Sequence, residues 1–497
     1  MLISPPFLPE RGSLSEQAWL DLAMAAPPFA LAETGAPEGS FPLSLGLAWH
    51  NGLHIQAPQP AGTHLPVRAI ADGQVVFVHP PTTPVPDIDH PLNYNPFKTD
   101  TPRAAWTSDG FLVVRHTSEI GAVGTTPTEV TYFSVCMHLA GIAPNPRSKA
   151  PWKMGDAVYR KEALGAPGWI YGHGGQIHFE ICCDEANLQR FMPRAPAWSH
   201  PLAPEAPTSD GRTDSVFGSV HVYLPAGTPT STTSPTHHVR VARGASGGAS
   251  AASDHFPPDT LQQPLWVRIT HDRGDAFIDS FDRLGERIGT THRDPDYEYD
   301  LYVTATQRHD SLSDAAKATS SPSGWYELLR FGRNLGSDPL PGDVAHWRRI
   351  PTATGTVWAD LNAQGTHKFS DADFPAVMGW NCFDDDTSPT DQRCDSVRLR
   401  MLVRDPTQPE SIRDPQALAR RLGNAAVRAR LRRAVCRFPS EWERETIVQR
   451  YGGLTRDFRP ADGDEAGTRK WQRFVDHAKA ITFDGLPAEF LSADWRF

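Results

Sequence analysis

Hydrophobic and polar residues alternate most sharply in Gln176-Ile177-His178-Phe179-Glu180-Ile181-Cys182. In a strand, Ile177, Phe179 and Ile181 line one face and Gln176, His178 and Glu180 the other. The first face suits a core and the second a cleft. The same period of two, rich in β-branched residues and broken by turn signals, predicts strands at Leu43 to Leu47, Val67 to Ile70, Gln74 to Val78, Phe111 to His116 and Val130 to Met137. A Pro-rich insertion from Pro80 to about Pro102 is expected to lie over the surface.

Past Trp198 the pattern changes. Val216 to Leu224 is strand-like, Pro225 to Pro258 is dominated by Pro, Thr, Ser, Gly and Ala and reads as a linker, and strands resume at Pro264 to Thr270 and Asp275 to Phe281. A helical period governs Ser323 to Phe331, with Trp325, Leu328 and Leu329 inward. Ala417 to Leu422, Val427 to Cys436 and Glu441 to Val448 read as amphipathic helices with an arginine-rich face. The expected fold is a multi-domain α+β chain. Its parts are an N-terminal arm (1–40), an antiparallel β-sheet domain (41–205), a strand plus linker (206–263), a mixed β/α module (264–400) and a mainly helical region (401–497).

Composition narrows the function classes. At 497 residues, with 39% hydrophobic and 21% charged residues, the chain is globular and too long for one ordinary domain. A net charge of −10 leaves no basic footprint for nucleic acid. No apolar run approaches the roughly 18 residues of a membrane span. Met1 to Glu10 has neither a basic start nor an unbroken apolar stretch, so no secretory signal is evident. The six cysteines form no CxxC pair; Cys182 and Cys183 read as buried thiols, and Cys382 and Cys394 are candidates for a disulfide in an oxidising space.

The candidate chemistry lies in two histidine segments. In Trp49-His50-Asn51-Gly52-Leu53-His54, a fully extended chain would hold His50 and His54 about 13 Å apart. Asn-Gly favours positive φ and a tight turn, which would fold the two rings together. His178 supplies the third imidazole, and three neutral imidazoles are an established catalytic zinc set. Glu180 either orients His178 or faces water. Further on, Asp360, Asn362, Gln364, Gly365 and Asp371 fall at positions 1, 3, 5, 6 and 12 of an EF-hand-like loop. That spacing fits either calcium or a turn held by Asx bonds.

The motif order carries a resemblance. Trp49 to Ile55, Val67 to Val76, Gly110 to His116, Cys136-Met137-His138-Leu139, Met154 to Val158 and Gln176 to Glu180 together resemble the lysostaphin-type zinc peptidases, which cleave peptides of bacterial peptidoglycan. The resemblance spans about residues 41–192. It implies zinc on His50, His54 and His178, where His54 stands in place of the family's aspartate. It also implies a catalytic His138. The first histidine of the family's His-x-His pair is replaced by Gln176, which can still donate a hydrogen bond to an oxyanion; His173 is a substitute proton carrier. Either the chain is a zinc-dependent peptidoglycan hydrolase, an amidase or an endopeptidase, or it is a degenerate scaffold that binds the wall and keeps its zinc.

From Pro264 onward, Ser323 to Gly332, Trp358 to Pro375 and Phe438 to Trp442 resemble the linking region of multi-domain antibacterial effectors of the type VI secretion system. That resemblance implies delivery to a target-cell periplasm without a signal peptide, with peptidoglycan, an immunity protein and a secretion-machinery component as partners. A lysozyme-like domain follows in those proteins; here the chain stops at Phe497 without one.

Overall fold

The computed structural model describes residues 3–27, 39–96, 104–192, 206–236, 238–239, 259–388, 390–452 and 465–497. The expected arm, the 80–102 insertion, the domain edge at 205 and the 225–258 linker fall partly outside them. The chain forms two compact units. One comprises Met1–Ile120, Thr128–Phe191 and Cys382–Phe497, and the other Gly121–Pro127 and Met192–Asn381.

In the first unit the alternating segments form an antiparallel sheet of β1 (Leu53–Gln56), β2 (Val67–Arg68), β3 (Gly73–His79), β4 (Gly110–Val123), β5 (Thr126–Ile142), β6 (Ala157–Val158), β7 (Ala163–Ile170) and β8 (His173–Cys183). The order is β8-β7-β5-β4-β3-β6, with β1 on β8 and β2 on β7. Leu43 to Leu47 makes no strand and contributes only an isolated bridge between Leu43 and Trp49.

The sheet does not end at β8. Trp495–Arg496 pairs with Cys182 and Cys183, Ala434–Arg437 pairs with Trp495–Arg496, and Asn381–Phe383 follows. The expected separate helical region at 401–497 is therefore part of the unit that holds the N-terminal strands. The helix expected over Val427 to Cys436 covers only Ala425–Leu431, capped by the Asn424 side chain. Its remainder gives a strand because Ala434, Val435 and Cys436 are buried in sheet pairing, and tertiary context overrides helix propensity. Glu441 to Val448 yields a short 3-10 helix, Arg444–Thr446, followed by one α-helical turn, Ile447–Arg450.

This added segment changes the environment of β8. Phe133, Val135, Met137 and Cys182 pack with Trp442, Leu486, Phe490 and Ala493 in one core cluster. Gln176, His178 and Glu180 are each at most 2% exposed, so the polar face of β8 is covered by other parts of the unit. All six cysteines are buried, and Cys382 and Cys394 form no disulfide.

The second unit builds a five-stranded antiparallel sheet in the order Arg287–Asp294, Asp275–Phe281, Leu265–Asp272, Val220–Leu224, His367–Ser370. A three-stranded sheet carries Trp347–Thr352, Gly355–Asp360 and Thr230–Ser231. The expected strands at Val216 to Leu224 and Pro264 to Thr270 thus pair with each other across the linker sequence. Helix Pro322–Phe331 buries Trp325, Leu328 and Leu329 against Leu301 and Ala305 of helix Tyr297–Asp310. No helix among the described residues is long and apolar enough to cross a membrane.

Candidate metal centre

Strand pairing assembles the histidines. His54 lies directly opposite His178 in the antiparallel register of β1 and β8, so both imidazoles project from adjacent backbones to one face. The bend at Asn51 and Gly52 brings His50 in, with ring centroids 5.0 Å from His54 and 4.9 Å from His178; His54 and His178 are 5.7 Å apart. One nitrogen from each of the three lies within 4.8 Å of the others.

The bend differs from the expected turn, because neither Asn51 nor Gly52 has positive φ. Gly52 is needed for space: a Cβ there would lie 2.3 Å from the Phe179 carbonyl oxygen and 2.6 Å from His178 Nε2. The amide of Asn51, with its oxygen inward, accepts hydrogen bonds from Arg496 Nε at 2.7 Å and from the Glu441 amide at 2.9 Å. The turn is thereby fixed by residues near the other end of the chain.

His138 reaches the same space by breaking the alternation of β5. Met137 pairs with His178 and is fully buried in the core, so a regular strand would send His138 to the opposite face. Its φ of 67° redirects the chain, and its ring lies 6.1 Å from His54 and 6.4 Å from His178. His138 Nδ1 donates to the Ser108 carbonyl at 2.8 Å, which leaves Nε2 as the lone-pair nitrogen. His50 is tied similarly, Nδ1 to the Ser40 carbonyl at 3.2 Å.

The rings are held neutral. Burial lowers His50 and His138 to about 4, partly offset by their carbonyl partners. Burial, then the neighbouring imidazoles, takes His54 and His178 well below the usual range. A neutral imidazole is the form that binds metal. His54 Nδ1 and His178 Nε2 are also buried without a hydrogen-bond partner, a costly state that marks a group awaiting a ligand or proton. The residues present therefore fit a metal ion with three nitrogen donors.

A second set, His178 with Glu180 and Glu441, also converges. It is the poorer cation site. Glu180 accepts from Trp442 Nε1 at 2.7 Å and from Arg496 Nε at 3.0 Å, a guanidinium that is itself fully buried and already neutralises the carboxylate. Glu180 thus neither faces water nor bonds His178, whose Nε2 is 3.9 Å away. Glu441 is nearer at 3.5 Å, and burial followed by the charge of Glu180 raises its carboxyl to about 8.

The histidines line a cavity of about 300 Å³ whose far wall comes from Trp442, Tyr451, Phe474 and His477. His477 lies on helix Glu465–Ala480; its Nδ1 donates to the Pro91 carbonyl at 2.9 Å, and its buried Nε2 has no partner. Burial lowers it to about 4. His477, Glu441 and Arg496 were not singled out in the sequence. The only local sign is that His477 shares a helical stripe with Trp471, Phe474 and Ile481.

Two expected site residues are not brought in. His173 is exposed at the start of β8 and does not line the cavity. Gln176 is buried two residues before His178 and does not line the cavity; one N–H of Nε2 is donated to Gln56 Oε1 at 3.3 Å.

In the EF-hand-like loop, oxygens of Asp360, Asn362 and Asp371 already have hydrogen-bond partners within the protein. Asp360 Oδ1 accepts from the Asn362 and His346 amides, both at 2.9 Å. Asn362 Oδ1 accepts from Lys368 Nζ. Asp371 accepts from His221 Nε2 and from the Ser219 amide, both at 2.7 Å. Gln364 is exposed. The oxygens are turned to separate donors, which is the Asx-turn alternative.

No family model matches the chain, and no curated protein or solved structure is significantly similar to it.

Proposed function

We propose that the protein is a zinc-dependent hydrolase of an amide bond in bacterial peptidoglycan. The observation that carries the reaction class is the convergence of three neutral imidazoles within 4.8 Å beside a fourth whose Nε2 is left as an acceptor. The substrate class rests on the order of motifs between residues 41 and 192 and their resemblance to the lysostaphin-type zinc peptidases.

His50, His54 and His178 would hold the zinc. When bound, the ion supplies Lewis acidity toward the scissile carbonyl and lowers the pKa of water. His138 is neutral near pH 7, so it can take a proton at Nε2 and return it to the leaving amine. His477 has the same arrangement, a backbone-tied Nδ1 and an Nε2 without a hydrogen-bond partner, and it takes the place of His173 as the second proton carrier. Trp442, Tyr451 and Phe474 give the cavity an aromatic wall against which a peptide would pack. Resemblance of the later segments supports delivery as a secreted antibacterial effector.

A degenerate wall-binding scaffold is the second reading, favoured by the engagement of Gln176 with Gln56. Purified sacculi separate the two. With zinc, mass analysis is expected to find released peptides that disappear with chelator and return on zinc addition. His138→Ala should keep the metal and lose the product. Retention on sacculi with no metal-dependent product would leave the scaffold.

A further inference from the structure

The atom nearest His178 Nε2 among its acidic neighbours is an oxygen supplied from far along the chain. His178 Nε2 and Glu441 Oε1 face each other at 3.5 Å, and each is buried without a hydrogen-bond partner. Two such orphans side by side are uncommon, because leaving buried polar atoms unpaired is costly. A single proton on His178 Nε2 resolves both, and it leaves Nδ1 as the only lone-pair nitrogen of the ring.

The segment holding Glu441 is fixed on several sides. Its amide donates to Asn51 at 2.9 Å, and its carbonyl accepts from Arg450 at 2.9 Å. The next residue, Trp442, places its ring 5.3 Å from His178 and donates from Nε1 to Glu180. Glu180 cannot take the role, since Trp442 and Arg496 occupy its oxygens and it stands 3.9 Å off. Glu441 has an acceptor oxygen in either protonation state, so the contact does not depend on its charge.

We propose that Glu441 is a positioning residue for the metal centre: it accepts a hydrogen bond from His178 Nε2–H and so presents Nδ1 to the ion. This rests on the metal reading of the three-histidine site. Outer-shell acceptors on ligating histidines typically contribute about 10–100-fold in metal affinity. The proposal also accounts for the far segment folding back over β8, because the second partner of a ligand must be as fixed as the ligand.

The test reads zinc affinity by chelator competition, and the tautomer by long-range ¹H–¹⁵N histidine spectra of the zinc-loaded full chain. Wild type is expected to show His178 protonated at Nε2 with zinc on Nδ1. Glu441→Ala should weaken zinc about 10–100-fold, while Glu441→Gln, whose amide oxygen still accepts, should stay within about threefold of wild type. Melting of the metal-free variants separates misfolding from loss of the contact. Equal zinc affinity in wild type and Glu441→Ala, or zinc on Nε2, would overturn the proposal while leaving the hydrolase reading intact. A wild type that takes no zinc would remove both.

Discussion

Two clusters in this molecule carry ligand-type side chains at motif spacing, and they treat their lone pairs in opposite ways. At Asp360 to Asp371, Asp360 Oδ1, Asn362 Oδ1 and both carboxylate oxygens of Asp371 already accept from nearby amides, a lysine or a histidine. At His50, His54 and His178, the nitrogens converge within 4.8 Å, and His54 Nδ1 is buried with no partner, while His178 Nε2 faces Glu441 Oε1 at 3.5 Å. Spacing alone does not separate the two; unmet hydrogen-bonding capacity does. A cluster that satisfies itself is a turn, and one that cannot do so needs an ion.

The sharpest way to break this comparison is a crossed pair of substitutions. His178→Ala should weaken zinc by more than about 100-fold, since each donor of a structural zinc site carries roughly a quarter of 10–16 kcal/mol. It should leave the metal-free melting temperature nearly unchanged. Asp360→Ala should leave zinc affinity unchanged and lower stability by about 1–3 kcal/mol, because two buried amides lose their acceptor. Chelator competition and denaturant unfolding on both variants check this. If Asp360→Ala weakened zinc, the two clusters would not be independent.

Next in size is Gly52→Ala. Its Cβ would lie 2.6 Å from His178 Nε2, so the bend or the ring must shift. Destabilisation of about 1–3 kcal/mol is expected, as for overpacking, together with weaker zinc binding.

The pH dependence is subtler. His116, His138 and His477 have folded pKa values near 4. The unfolded chain, with ordinary histidines near 6.5, binds more protons between those values. Stability from these groups is therefore fully present above about pH 6.5 and lost as pH falls through 4, at up to about 1.4 kcal/mol per pH unit for each. Urea midpoints of the metal-free protein between pH 7 and 4 should fall accordingly. A flat profile would mean the rings are solvated. The smallest effect is expected from calcium, which should give no binding heat and no melting shift.

Much of the histidine wall was legible because strand alternation and the opposing register of β1 and β8 are local consequences of sequence. His138 was legible only by resemblance, since its φ of 67° departs from the alternation that its neighbours obey. The opposite wall was not legible. Glu441, His477 and Arg496 sit in segments whose own periodicity says helix or loop, and each is placed by a partner far away in sequence: Asn51 for Glu441, Pro91 for His477 and the β8 pairing for Arg496. Gln176 was favoured by its place in the His-x-His resemblance and His173 by its closeness to that pair, yet neither lines the cavity. The Asp360 turn shows the converse, a correct spacing whose partners, Lys368 and His221, were invisible from the motif.

X-ray absorption on the zinc-loaded chain tests the central claim most directly. One zinc per chain with three imidazole nitrogens at about 2.0–2.1 Å is expected, falling to two in His54→Ala. No bound zinc, or a site dominated by carboxylate oxygen and unchanged in His54→Ala, would contradict the three-histidine centre.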